Sequence, residues 1–218
     1  MNHLLSEIVK TSTFPTSSNH TPKLPPQIEG IEKEDIETAL AELYRKAVET
    51  RGNTFRDISQ AEVAAKLRST AEWVTGHPLR SGLLLQGTVG SGKTTVLYAL
   101  YALYKRLATS VAHSTAPALY EHFRRYQQNE MSYYPDYRQA KYLFLDDLGT
   151  EPARCLIYGT EYTPLQELID YRYSRQLPTV ITTNLSDTQL LERYGDRFVD
   201  RIAEMFTVLR FKGKSYRG

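Results

Sequence analysis

A three-layer α/β fold around a mostly parallel, five-stranded sheet is the architecture this sequence predicts, and three observations carry the prediction. The stretch Gly87-Thr88-Val89-Gly90-Ser91-Gly92-Lys93-Thr94 fits the phosphate-loop pattern G-x-x-x-x-G-K-[ST], with an apolar strand-like run (82–86) before it and a helix-compatible run (95–103) after it. A second apolar run, 141–145, leads straight into Asp146 and Asp147. Short apolar segments then alternate with helix-periodic ones across 82–212, the pattern of helices covering both faces of a parallel sheet.

Taken in order, residues 1–28 read as a tail: 11–26 is rich in Ser, Thr, Pro and Asn and has too little apolar surface to offset chain ordering. Residues 3–9 could form a short amphipathic turn. Residues 31–50 predict a helix, with Ile36, Leu40, Leu43 and Ala47 at helical spacing and Gly52 beyond its end. Ser59 with Glu62 forms a capping-box pattern for a second helix, which carries Val63, Leu67, Trp73 and Val74 and stops near Gly76-His77-Pro78. Phe55 and Ile58, in the link between these helices, are either walls of an adenine pocket or core residues. The organisation is therefore a tail (1–28), a helical N-terminal extension (29–78) and a nucleotide-binding core (79–218).

Within the core, 110–115 predicts a second strand and 116–128 a helix with Leu119, Phe123 and Tyr126 near one face. Residues 129–141 are polar and tyrosine-rich, and 141–149 is the acid-ended strand. An irregular connection is expected over 150–159, then a helix over 162–175 with Leu165, Leu168, Ile169 and Tyr173 inward. Residues 178–184 predict a strand ending in the amide of Asn184; Ser186 caps a short helix to Tyr194; Gly195 breaks it; 196–205 is a further helix; and 208–211 is the last strand. In such a sheet ligand sits at the carboxyl ends of the strands, where Gly87, Asp146, Asp147 and Asn184 all fall.

Composition narrows the class. Of 218 residues, 41% are apolar and 24% charged, ordinary for a soluble globular protein, and the net charge of +2 requires any basic site to be local. The single cysteine, Cys155, excludes an intramolecular disulfide and a cysteine-rich zinc site. No apolar run approaches the roughly 18 residues of a membrane span, and the N-terminus lacks the apolar core of a signal peptide. A reducing, cytoplasmic setting without membrane is the expectation.

The loop's chemistry follows from its residue types. Gly87, Thr88, Val89, Gly90, Ser91, Gly92, Lys93, Thr94 and Thr95 are the expected nucleotide-binding residues. The glycines let the loop turn back so that its N–H groups form an anion nest, and the positive end of the following helix adds to the field. Lys93 would reach the β- and γ-phosphates, and Thr94 would offer its hydroxyl to Mg²⁺. Asp146 would bind the same Mg²⁺, mostly through water, and Asp147 would orient or deprotonate the attacking water. ATP and Mg²⁺ are the ligands this set implies.

Together with Pro178-Thr179-Val180-Ile181-Thr182-Thr183-Asn184-Leu185, Tyr194-Gly195-Asp196-Arg197-Phe198-Val199-Asp200-Arg201-Ile202 and the ending Phe211-Lys212-Gly213-Lys214-Ser215-Tyr216-Arg217, these stretches resemble the helicase-loader group of AAA+ ATPases. That group holds the bacterial DnaC/DnaI loaders and the IstB-type transposition helpers, and the resemblance covers about residues 50–217. It implies a P-loop NTPase fold with an AAA+ core, self-association through ATP interfaces, and a replicative helicase or transposase as partner. It implies that Asn184 is the sensor that places water against the γ-phosphate. It also implies that Arg201 is the arginine finger offered to the neighbouring subunit's ATP, with Arg197 one turn away as the competing candidate. For either arginine the structural alternative is an ion pair with Asp196 or Asp200, and Arg217 resembles the group's terminal arginine. The sequence departs from many AAA+ proteins in carrying Asp147 where Glu is common, and in leaving no room after the last strand for a C-terminal lid domain.

Between residues 105 and 141 six basic residues face three acids, an excess above that of the whole chain, with aromatic side chains interleaved. Cations that follow phosphates and rings that stack bases serve sequence-independent single-strand binding. Arg124, Arg125, Tyr126, Tyr133, Tyr134 and Arg138 are the candidates for single-stranded DNA; the alternative is an amphipathic helix with tyrosines packed on it. Three functions are then in contention: an ATP-switched DNA-binding assembly factor, a small-molecule kinase on a P-loop scaffold, and a nucleotide-dependent interaction module that hardly hydrolyses.

Overall fold

The computed structural model describes residues 32–50, 60–75, 80–108, 110–132 and 135–211. Ser59, Phe55, Ile58, the tail (1–28), Tyr133, Tyr134 and Arg217 lie outside the described residues, and with them the capping box, the adenine-wall reading and part of the DNA-binding set.

In chain order the elements are α1 (Lys33–Glu49), α2 (Gln60–Thr75), β1 (Gly82–Gly87), α3 (Lys93–Leu107), β2 (Val111–Thr115), α4 (Ala116–Gln127) and β3 (Tyr142–Leu148). There follow β4 (Cys155–Ile157), β5 (Thr160–Tyr162), α5 (Pro164–Ser174), β6 (Thr179–Thr183), α6 (Asp187–Tyr194), α7 (Asp196–Met205) and β7 (Phe206–Phe211). The main sheet has five strands in the order β2-β3-β6-β1-β7, and every neighbouring pair is parallel. The predicted three-layer α/β architecture is the one observed.

Strand periodicity builds the layers. Successive side chains on a strand point to opposite faces. Leu83 and Leu85 of β1, Phe144 of β3 and Val180 of β6 pack with α1, α2 and α3 on one face. Leu84, Leu143, Leu145 and Ile181 pack with α4, α5, α6 and α7 on the other. The strands are apolar on both sides because both sides are covered, as parallel sheets require. On the first face Leu40 and Tyr44 of α1 and Leu67 and Trp73 of α2 belong to the same cluster as Leu97 and Leu100 of α3, so the N-terminal helices share their core with the helix that follows the glycine loop.

Two expectations are corrected. The connection after β3 is not wholly irregular: β4 and β5 form an antiparallel hairpin, Cys155 pairing with Tyr162 and Ile157 with Thr160. Its tip, Tyr158 (φ 49°) and Gly159 (φ 83°), bends the chain back in left-handed backbone, and α5 therefore starts at Pro164, after the hairpin. The last strand begins at Phe206, directly on the end of α7, because Phe206 pairs with Gly82 at the start of β1.

Candidate functional site: a nucleotide-binding edge of the sheet

The strand order makes the site. With β6 inserted between β1 and β3, the carboxyl ends of three adjacent parallel strands carry the glycine loop, Asn184 and the acids side by side. The loop leaves β1 at Gly87 and enters α3 through Gly92, whose left-handed backbone (φ 91°) suits glycine. A Cβ there would also come within 3.0 Å of the Tyr44 hydroxyl of α1. Lys93 opens α3 and is 4% exposed. Its Nζ donates to the carbonyls of Gly87 (2.8 Å) and Thr88 (2.7 Å), to Ser91 Oγ (3.3 Å) and to Asn184 Oδ1 (2.8 Å). These acceptors are neutral; a phosphate oxygen beside the loop would offer the ammonium a stronger, charge-assisted bond. Thr88 and Val89 are exposed, while Ser91 and Thr95 are buried beneath the turn.

Thr94 Oγ1 donates to Asp146 Oδ1 at 3.0 Å, joining the loop to β3. The same carboxylate oxygen accepts from Thr182 Oγ1 of β6 at 2.6 Å, and Thr182 Oγ1 in turn accepts from the Asp147 backbone N–H at 2.8 Å. Thr182 is fully buried. This residue escaped the sequence reading, since a threonine inside a β-branched strand looks like packing. The β3–β6 pairing shifts register between Leu145 and Leu148, where Asp147 takes a left-handed backbone (φ 57°). Such an irregularity re-aims a side chain at a strand end. At the neighbouring edge Gln86 Nε2 donates to Leu185 O and Asp187 Oδ1, both at 2.9 Å, and so pins the turn that follows Asn184. Hydrogen bonds first from Arg210 and then from Gln86 hold the Asp187 carboxyl below the usual carboxylate range.

The donor set fits a triphosphate with Mg²⁺. Mg²⁺ favours hard oxygen ligands, one or two carboxylates completed by phosphate and water, and Thr94 and Asp146 supply a hydroxyl and a carboxylate together. Among the described residues no cluster of three His, Cys, Asp or Glu forms a self-sufficient metal cage.

Arg201 and Arg197 lie one turn apart on α7. Both pair with Asp170 of α5, Arg197 at 3.3 Å, and not with Asp196 or Asp200 as the sequence had suggested. Asp196 and Asp200 each directly precede one of these arginines, and side chains at adjacent helix positions do not face each other, whereas Asp170 comes from a neighbouring helix and lies within reach of both. Arg201 is the more enclosed, at 17% side-chain exposure against 76% for Arg197. Arg201 also lies over the Tyr173 ring at 5.4 Å.

In the basic region, Arg124 bonds Glu121 through Nε (3.0 Å) and Nη2 (2.7 Å), and Arg125 lies 3.6 Å from Glu130. Tyr126 is exposed. Arg138 stands over the Tyr171 ring of α5 at 4.3 Å. Tyr137, counted from sequence among the interleaved rings, is buried, its hydroxyl 2.8 Å from His122 Nδ1. It serves the core because its loop folds inward over α4.

The fold and this edge of the sheet define a P-loop NTPase of the AAA+ class. The chain belongs to the family of IstB-like ATP-binding proteins, whose profile matches residues 35–218. No curated protein matches it in sequence. Among solved structures it is similar to DnaI, with 25% identity over 79% of this chain and 93% of that one, at a TM-score of 0.51. It is also similar to the DnaC helicase loader (24% identity, 72% and 92% of the chains, TM-score 0.49). A third similar structure is AMPPCP-bound DnaA from Aquifex aeolicus (18% identity, 61% of this chain, TM-score 0.48), of which this chain spans 40%. No helix among the described residues is long and apolar enough to cross a membrane.

Proposed function

We propose that this protein is a Mg²⁺-dependent ATPase that binds single-stranded DNA and loads a replicative DNA helicase onto it. The observation that carries the reading is the meeting of Lys93, Asn184, Thr94 and Asp146 through direct hydrogen bonds at one edge of the sheet. The residue pattern that resembles the loader group, and the similarity to DnaI, support the loading role.

In this reading the loop N–H groups and Lys93 hold the phosphates, and Thr94 with Asp146 holds the metal. Mg²⁺, when bound, neutralises charge on the phosphate oxygens. Asp147 orients the attacking water and accepts its proton, and Asn184 fixes that water against the terminal phosphate. Arg201 of an adjacent copy stabilises charge on the transferring group, leaving Asp170 to do so. Assembly and hydrolysis then depend on each other. The basic and aromatic side chains Arg124, Arg125, Tyr126, Tyr133, Tyr134 and Arg138 take the DNA.

The match to the IstB-like family favours a second reading, a transposition helper with a transposase as partner. The test is the ATPase rate of the purified protein with single-stranded DNA, with small phosphoryl acceptors, and alone. Stimulation by DNA supports the proposal, stimulation by an acceptor makes the protein a kinase, and no turnover in any condition leaves a binding module. Capture of a helicase or of a transposase from cells, compared with and without ATP, separates the two assembly roles.

A further inference from the structure

We infer that Glu151 is a positioning residue for hydrolysis: its buried carboxylate ties the turn that carries Asp147 to Tyr194, at the joint between α6 and α7. The inference rests on the ATPase reading above.

Glu151 is 1% exposed. A carboxylate so enclosed is costly unless donors hold it. Its two oxygens are used in opposite directions. Oε2 accepts the Gly149 N–H at 2.9 Å, and Oε1 accepts the Tyr194 hydroxyl. Its backbone carbonyl accepts from Arg193 Nη2. Tyr194 is itself buried, its ring 4.5 Å from Phe198 at the start of α7, and its carbonyl accepts from Gln166 Nε2 of α5. Burial, and then the Glu151 charge and hydrogen bond, push the Tyr194 phenol far above its ordinary range, so it remains a donor.

The carboxylate reinforces a strained turn that is already closed on itself by the Thr150 N–H donating to Asp147 O at 3.3 Å. Asp147 has φ 57° and Gly149 φ 104°. A non-glycine residue in left-handed backbone is strained and persists only where its surroundings restrain it. Thr150 restrains one side, its Oγ1 donating to Asp147 O at 2.7 Å. On the other side Gly149 is pressed against Leu185, next to Asn184; a Cβ there would meet Leu185 Cδ1 at 2.5 Å. The Glu151 bond to Gly149 closes the turn from below. A group that orients water must be held to a fraction of an ångström, and misplacement lowers kcat rather than affinity. Through Tyr194, which donates to its other oxygen, the same carboxylate reaches the start of the helix that bears Arg197 and Arg201.

The experiment compares full-length wild type with Lys93→Ala, Glu151→Ala, Glu151→Gln, Tyr194→Phe and the Glu151→Ala/Tyr194→Phe double variant, measuring ATPase kinetics and the affinity for a fluorescent ADP analogue. Glu151→Ala and Tyr194→Phe are expected to keep that affinity within about twofold while kcat falls about tenfold, and the double variant to be no worse than either. Glu151→Gln keeps an acceptor for Gly149 and an amide for Tyr194, and is expected to recover kcat to within about threefold of wild type. Unchanged kcat in Tyr194→Phe, affinity falling in step with kcat, or a Gln variant as impaired as Ala would each overturn the inference. If Glu151→Ala fails to fold, Tyr194→Phe decides. A wild type no faster than Lys93→Ala would sink the ATPase reading instead. Amide exchange over 147–151 then decides the positioning claim: selective loss of protection in Tyr194→Phe upholds it, and unchanged protection overturns it.

Discussion

Lys93 is a buried cation whose ammonium ends among carbonyl oxygens and the Asn184 amide. Removing it deletes the one long side chain that can reach from α3 across the loop to a phosphate. Lys93→Ala is expected to weaken ATP binding by about a hundredfold, equivalent to about 3 kcal/mol. Titration with a fluorescent ATP analogue checks this, and unchanged affinity would dismiss the loop as the binding site. Thr182 works one step behind the site. Its hydroxyl donates to Asp146 and receives the Asp147 N–H, so Thr182→Val leaves shape intact and both partners short of a bond. The expected outcome is a kcat lower by about tenfold, with Thr182→Ser near wild type, read in single-turnover hydrolysis.

At the scale of elements, Arg172 fastens α5 to the start of β6 and to the loop before β3. Fully buried on α5, it donates to the carbonyls of Tyr137 (3.0 Å), Ala140 (2.8 Å) and Pro178 (2.7 Å), and to Thr179 Oγ1 (2.8 Å). It thereby binds the loop before β3 to the start of β6. Arg172→Leu fills much of the volume but strands these acceptors in the interior, and a loss of about 4 kcal/mol of stability is expected. Arg172→Lys, a single point donor in place of a planar fork, should recover only part of it. Urea denaturation midpoints at constant slope provide the measurement.

At the scale of the whole molecule, the arginines of α7 face a choice of partners. Within the chain Arg201 is paired with Asp170; in an assembly it would be offered to a neighbour's nucleotide. Arg201→Ala is expected to keep nucleotide binding within about twofold and to lower hydrolysis by about a hundredfold. Mixed with Lys93→Ala, which keeps its arginine but lacks its own lysine, it should regain activity at the interface where an intact loop meets an intact arginine. An inactive mixture would assign Arg201 to holding α5 against α7. Arg197, far more exposed and bound to the same carboxylate, is the control: Arg197→Ala should cost hydrolysis less than Arg201→Ala does.

The amino-acid sequence alone determined the layers and the loop, because both follow from local rules. Apolar runs such as Leu83-Leu84-Leu85 announce strands buried on both faces, and Gly92-Lys93-Thr94 announces a turn no ordinary helix start would choose. Asp146 and Asn184 were legible because they stand where apolar strands stop. Only the tertiary structure decided what meets across the chain. Thr182 reaches Asp146 because β6 lies beside β3, and Glu151 reaches Tyr194 because α6 folds back over the turn after β3. Asp170, not Asp196 or Asp200, holds the arginines of α7 because α5 packs against that face. Such contacts join residues tens of positions apart, and their energy comes from burial and hydrogen bonding in three dimensions, which spacing along a chain does not record.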